Sequence, residues 1–130
     1  MELPEFSPGL SARVELTVTD ADTAQSLGSG DVPVLGTPRV LALAEAATVA
    51  ATARQIPGGV TTVGTRAEVD HRAATTVGRT VAATATLAKV DGRKLTFDVV
   101  VREGERTIAE VRVERTLLDR QRFIEKAQGR

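Results

Sequence analysis

Polar and apolar residues alternate along SARVELTVTDAD at 11–22, where Val14, Leu16 and Val18 share one side, the pattern of a half-buried strand. Residues 23–36 contain Gly28, Gly30, Pro33 and Gly36 with no sustained period, and read as a loop able to act as a mobile lid. Thr37-Pro38 marks a helix start: the threonine hydroxyl can accept an orphan backbone N–H, and proline in the first turn loses no hydrogen bond. VLALAEAATVAATA at 40–53 is apolar on nearly every face, with Glu45 its only charge. Such a helix is normally buried all round. Arg54 and Gln55 give it a polar end, and Ile56-Pro57-Gly58-Gly59 stops it. Four strand-like runs follow at about 60–72, 77–90, 93–103 and 106–118, then a short polar helix at about 119–128. Asp91-Gly92 predicts a type I′ hairpin, and Glu103-Gly104-Glu105 a second hairpin.

This order, a strand, a loop, a buried helix and four strands in meander, is an α+β layout. To bury the helix, a five-stranded antiparallel sheet must wrap round it, which is the geometry of the hotdog fold. At 130 residues the chain fits a single domain spanning 1–130, with no internal repeat or linker. Its 17 basic and 17 acidic residues cancel, so it lacks the electrostatic footprint of a nucleic-acid or membrane-surface binder. The only aromatics are Phe6, Phe97 and Phe123, which leaves no row of rings for stacking single-stranded bases and implies a core of Val, Leu, Ile and Ala. Without cysteine there is no disulfide, thiolate metal site or cysteine nucleophile. The acidic, proline-bearing start MELPEFSPGL is not a secretory signal, and AATVAATA at 46–53 is too short to span a bilayer, so the expected location is the cytoplasm.

Three polar residues fall where apolar ones are expected. Glu45 interrupts the alanine-rich helix, either as half of an ion pair with an arginine or as a carboxylate kept dry for acid–base work. His71, the only histidine, ends a run in which alternation puts Val63, Thr65, Ala67 and Val69 on its face, toward the helix. It is either a satisfied core residue or a catalyst; with no second histidine, a zinc site is not expected. Arg115 shares the inner face of the last strand with Val111, Val113 and Leu117. Either its stem packs on apolar surface with the head reaching water, or it serves a site.

The order and spacing of these residues resemble the fluoroacetyl-CoA thioesterase branch of the hotdog-fold thioesterases. In that family a Thr and a Glu eight residues apart open and line the central helix, and a His follows 26 beyond the Glu. Thr37, Glu45 and His71 match without a gap. Gly64-Thr65 corresponds to the family's Gly-Thr pair seven residues before the histidine, and Glu114-Arg115 to its Glu-Arg near the end of the last strand. The resemblance runs over about residues 10–125. The member that handles the fluorinated substrate carries phenylalanines in the loop before its helix. Gly30-Asp31-Val32-Pro33-Val34 has none, so selectivity for that acyl group does not follow. Asp70-His71-Arg72 is also more charged than the family's usual flank.

What the resemblance implies is hydrolysis of a short- or medium-chain acyl-CoA by Thr37, Glu45 and His71, with Gly64, Thr65 and Arg115 at the substrate. Thr37 or a water held by Glu45 attacks, His71 handles the proton, and the Gly64 N–H faces the developing oxyanion. No cofactor is implied beyond the coenzyme A of the substrate. The expected partner is a second copy, as a homodimer with the site between subunits and a tetramer left open. Two rivals compete. An enoyl-CoA hydratase of the same fold needs an Asp and a His at the helix start, where this chain offers Asp31 and Thr37. A non-catalytic acyl-CoA or antibiotic-binding module would lack the acid or the base, and this sequence has both.

Overall fold

The computed structural model describes residues 1–129. Five strands, β1 (Ser11–Thr17), β2 (Val60–His71), β3 (Thr80–Asp91), β4 (Lys94–Glu103) and β5 (Arg106–Asp119), form one antiparallel sheet in the order β1-β3-β4-β5-β2. The helix α2 (Thr37–Thr52) lies in the hollow of this sheet, preceded by a four-residue helix α1 (Ala24–Leu27) and followed at the far end by α3 (Arg120–Ala127). This is the hotdog arrangement. Val81, Ala83, Ala85 and Leu87 of β3 and Leu95, Phe97, Val99 and Val101 of β4 point inward and are fully buried. They meet Val40, Leu43, Ala44 and Ala47 of the helix. Alanines on both sides let the helix sit close to the sheet, and each buried Leu or Phe contributes about 1.5–3 kcal/mol.

Four expectations are corrected. The helix is not covered all round: the sheet reaches one side, chiefly through β1 and β3, and Ala42, Ala46, Val49 and Ala50 stay exposed. The 23–36 segment is not a free loop. Thr23 caps α1 by accepting the Ser26 N–H, Leu35 is buried in the core, and the Leu35 N–H donates to the Thr75 carbonyl. Only its middle, around Val32, remains available as a lid, because Leu35 is committed to the core. The β3–β4 turn is not type I′: Asp91 pairs with Lys94, and of the intervening Gly92 and Arg93 only the glycine has positive φ, the pattern of type II′. Finally, β2 is bulged. Gly64 pairs with Arg115 and Arg66 with Glu114, leaving Thr65 as the extra residue. Thr62 and Gly64 therefore face the helix along with Ala67, Val69 and His71, while Val63 and Thr65 do not.

Candidate active site

Thr37 is the first residue of α2, and Gly36, not Thr37, occupies the cap position. A side chain at 36 is excluded, because its Cβ would lie 2.9 Å from Leu27 and 3.1 Å from the Ala24 backbone. The Thr37 hydroxyl does not cap the helix. It lies 2.8 Å from Nδ1 of His71, at the end of β2. A group well suited to stabilising its own helix is used on a histidine 34 residues away. The other ring nitrogen, Nε2, is shielded from solvent and has no hydrogen-bond partner among the described residues. If Thr37 donates to Nδ1, Nε2 carries the ring's one proton and is a hydrogen-bond donor; if Nδ1 donates, Nε2 is a base in the neutral ring and an acid in the doubly protonated one. The charged neighbours Asp70 and Arg72 are exposed, and Arg72 pairs with Glu110 at 3.0 Å.

The start of α2 is fixed by a residue the sequence reading did not single out. The buried Asp22 accepts from the Thr19 backbone and hydroxyl and from Nε of Arg39 at 2.9 Å, while its carbonyl accepts from the Gly36 N–H. Burial pushes the Asp22 pKa up, but these hydrogen bonds and the Arg39 charge outweigh it and hold the carboxyl below its ordinary value. The visible signal was the Thr19-x-x-Asp22 capping box.

Glu45 belongs to a second cluster. Its carboxylate accepts from Nη1 of Arg115 at 3.1 Å, while the Arg115 Nε and Nη2 donate to the hydroxyl and carbonyl of Thr62. The Arg115 side chain is only 8% exposed and Glu45 39%. Burial lowers the guanidinium's pKa, and the Glu45 charge opposes that shift. Arg115 thus spends its donors behind Glu45 and does not reach water. Gly64 completes the cluster: a Cβ there would sit 2.5 Å from the Glu45 carboxylate. Thr65, at the bulge, donates to the Glu114 carbonyl at 3.3 Å and is exposed.

Within one chain these clusters are apart. Eight helical residues separate Thr37 from Glu45 by about 12 Å, and about six ladder positions separate Gly64 from His71 by about 20 Å. Among the described residues no three His, Cys, Asp or Glu side chains are grouped as metal ligands. No helix is long and apolar enough to cross a membrane.

A hydroxyl–imidazole pair thus stands at the head of the helix, with a carboxylate along it and a glycine opposite, inside the sheet of a hotdog fold. The family model for fluoroacetyl-CoA-specific thioesterase (FlK) matches residues 18–121, and the chain belongs to that family. The structure of FlK is similar at 29% identity and a TM-score of 0.89, covering 97% of this chain and 98% of that one. A single-site mutant of FlK in complex with fluoroacetate and CoA matches at 30% identity and a TM-score of 0.84, covering 91% and 99%. A hypothetical thioesterase-superfamily protein of Thermus thermophilus shares the fold at 23% identity and a TM-score of 0.84, covering 98% and 100%. No curated protein sequence matches the chain. The protein is a thioesterase enzyme acting on acyl-CoA thioesters.

Proposed function

We propose that the enzyme hydrolyses short- or medium-chain acyl-CoA in the cytoplasm as a homodimer joined through β2, with each active site built from both subunits. Thr37 and His71 come from one subunit, Glu45 and Gly64 from the other, and no cofactor is used beyond the substrate's coenzyme A. The observation that carries this reading is the 2.8 Å Thr37–His71 pair whose Nε2 is shielded yet unpartnered, set apart from Glu45, the carboxylate of α2. β2 is an edge strand, and its inner-face residues Gly64 and Ala67 are exposed, as is the apolar stripe on α2. Two β2 strands pairing antiparallel about residues 67–68 lay His71 of one opposite Gly64 of the other, which closes the gap.

In that arrangement Glu45 holds and deprotonates the attacking water, with Thr37 orienting His71. The Gly64 N–H stabilises the carbonyl oxygen as it becomes negative, and His71 Nε2 protonates the departing thiolate. Arg115 fixes Glu45 from behind, and Thr65 lines the wall at the bulge. Val32, 49% exposed, and Val34 form the apolar rim over the acyl group.

A thiol-detecting dye with a panel of acyl-CoAs measures the activity, and mixing inactive variants tests the shared site. Subunits carrying Glu45→Gln and His71→Ala, unfolded and refolded together, give mixed dimers in which one of two sites is intact, restoring about a quarter of wild-type activity. Two inactive partners that stay inactive when mixed would refute the shared site. Acyl-CoA binding without thiol release by the wild-type protein would favour the binding-module reading instead.

A further inference from the structure

Among the described residues, the charged side chains that are buried are Arg115 and Asp22. An apolar residue of similar volume often serves stability as well as a buried charge does, so each of these two calls for a further reason. Arg115 stands directly behind Glu45. Asp22 stands in the same relation to the other half of the site. Gly36, the cap residue of α2, has no side chain, and the helix start receives no side-chain cap hydrogen bond. Asp22 holds that start at two points instead, one on each side of Thr37. Its carbonyl accepts the Gly36 N–H at 2.9 Å, and its carboxylate accepts from Nε of Arg39 at 2.9 Å. The carboxylate is in turn fixed by the Thr19 N–H at 2.8 Å and the Thr19 hydroxyl at 2.9 Å. Arg39 is otherwise badly placed, because a cation in the first turn opposes the helix dipole and that turn carries no acid of its own. Asp22 supplies the missing negative charge from outside the helix.

We infer that Asp22, through Gly36 and Arg39, is a positioning residue for the reaction, fixing the head of α2 so that the Thr37 hydroxyl meets Nδ1 of His71. The inference rests on the reading of Thr37 and His71 as working groups and adds the residue that sets their distance. The 2.8 Å contact between them joins two elements that are fixed separately. His71 is the last residue of β2, and the next N–H, that of Arg72, donates to the Ile108 carbonyl of β5, so the sheet holds the imidazole side. Thr37 is the first residue of α2 and is exposed, so core packing does not hold the hydroxyl side. The Asp22 brace does. Its own segment is tied to the sheet by the buried Val18, whose N–H donates to the Arg79 carbonyl at 2.9 Å. Misplacing a reacting group by about 1 Å costs on the order of 10²-fold in rate, so a brace that grips the residue next to Thr37 acts on the reaction as well as on folding.

Asp22→Asn tests this, because it keeps the shape of the side chain and an acceptor for Arg39 or Thr19 while removing the charge. With the variant assayed well below its Tm, kcat should fall about tenfold and KM stay within about twofold of wild type. In a Thr37→Val background, where the hydroxyl is gone, Asp22→Asn should lower kcat no further, since both changes act through one contact. An unchanged kcat in folded Asp22→Asn, or losses that simply multiply in the double variant, would overturn the inference. So would an equal fall in kcat for Val99→Ala, a change in the buried core of β4 that serves as the control for lost stability alone. A second measurement needs no turnover. His71 is the only histidine, so its ring Cε1–H gives a single proton resonance. Asp22→Asn should move that resonance in the Thr37 protein and leave it in place in the Thr37→Val protein. If the wild type releases no thiol from any acyl-CoA, the hydrolase reading has failed and the resonance still decides the brace: movement supports it, and a resonance unmoved by Asp22→Asn overturns it.

Discussion

Gly64→Ala isolates the placement of the Glu45 carboxylate. Gly64 does not have positive φ, so the backbone accepts alanine, and the amide N–H proposed to face the oxyanion is retained. The added Cβ falls 2.5 Å from the Glu45 oxygen and 3.4 Å from Nη1 of Arg115, where ordinary contact begins at 3.4 Å. The carboxylate must therefore withdraw by about 1 Å, a displacement that costs on the order of 10²-fold in rate when the group positions a reactant. The stability effect is small and mixed. Alanine in a strand gains about 0.5–1 kcal/mol over glycine, and loosening a pair whose carboxylate is 39% exposed gives back a similar amount at most, about 0–1 kcal/mol. The expected result is a Tm within a few degrees of wild type and kcat/KM reduced about 100-fold, measured on the best substrate of the acyl-CoA panel. A folded Gly64→Ala enzyme with wild-type kcat/KM would mean that the exact position of Glu45 does not matter to the reaction.

Glu45→Gln and His71→Ala are each expected to lower turnover by about 10²–10⁴-fold. A purely structural ion pair or core histidine would instead lose Tm and keep its activity per folded molecule, so rate and thermal midpoint measured together separate the two. Asp22 predicts an acid limb in stability. Its carboxyl pKa is depressed in the folded chain, so its contribution is complete above the unfolded value of about 4 and is lost as pH falls through the folded one. The Tm difference between wild type and Asp22→Asn should thus be largest near neutrality and shrink below about pH 4; a gap constant from pH 7 to 3 would contradict it.

Much of the architecture was legible because β3, β4 and β5 alternate over most of their length, with bulges at Ala88 and Ile108, and their turns carry glycine, so pairing and face follow largely from spacing. The helix was legible in its limits but not in its surroundings. A run that is apolar on every side reads as buried in its own chain, whereas here Ala42, Ala46 and Val49 are left for another surface. Thr37 reads as a cap because hydroxyls beside Pro usually are, and its use on His71 depends on a contact 34 residues away that no local pattern carries. The Glu45–Arg115 pair, 70 residues apart, is the ion-pair reading left open for Glu45, and no local pattern names which arginine supplies it. Asp22 was passed over as a turn acid because its partner Arg39 lies across the loop.

The bulge at Thr65 governs how this sequence tolerates lost or gained codons. Gly64 and His71 are seven apart, an odd interval that in a regular strand sends them to opposite faces of the sheet; the extra residue restores the match. Deleting the codon for Thr65 would shorten the interval to six and let the ladder close without a bulge, both residues staying on one face; deleting a codon between 66 and 70 with the bulge kept would turn either the glycine or the histidine outward. In a related sequence, an interval of seven therefore calls for a bulge and an interval of six calls for none. Conserved letters at the wrong parity would mark a protein that has kept the fold and lost the shared site.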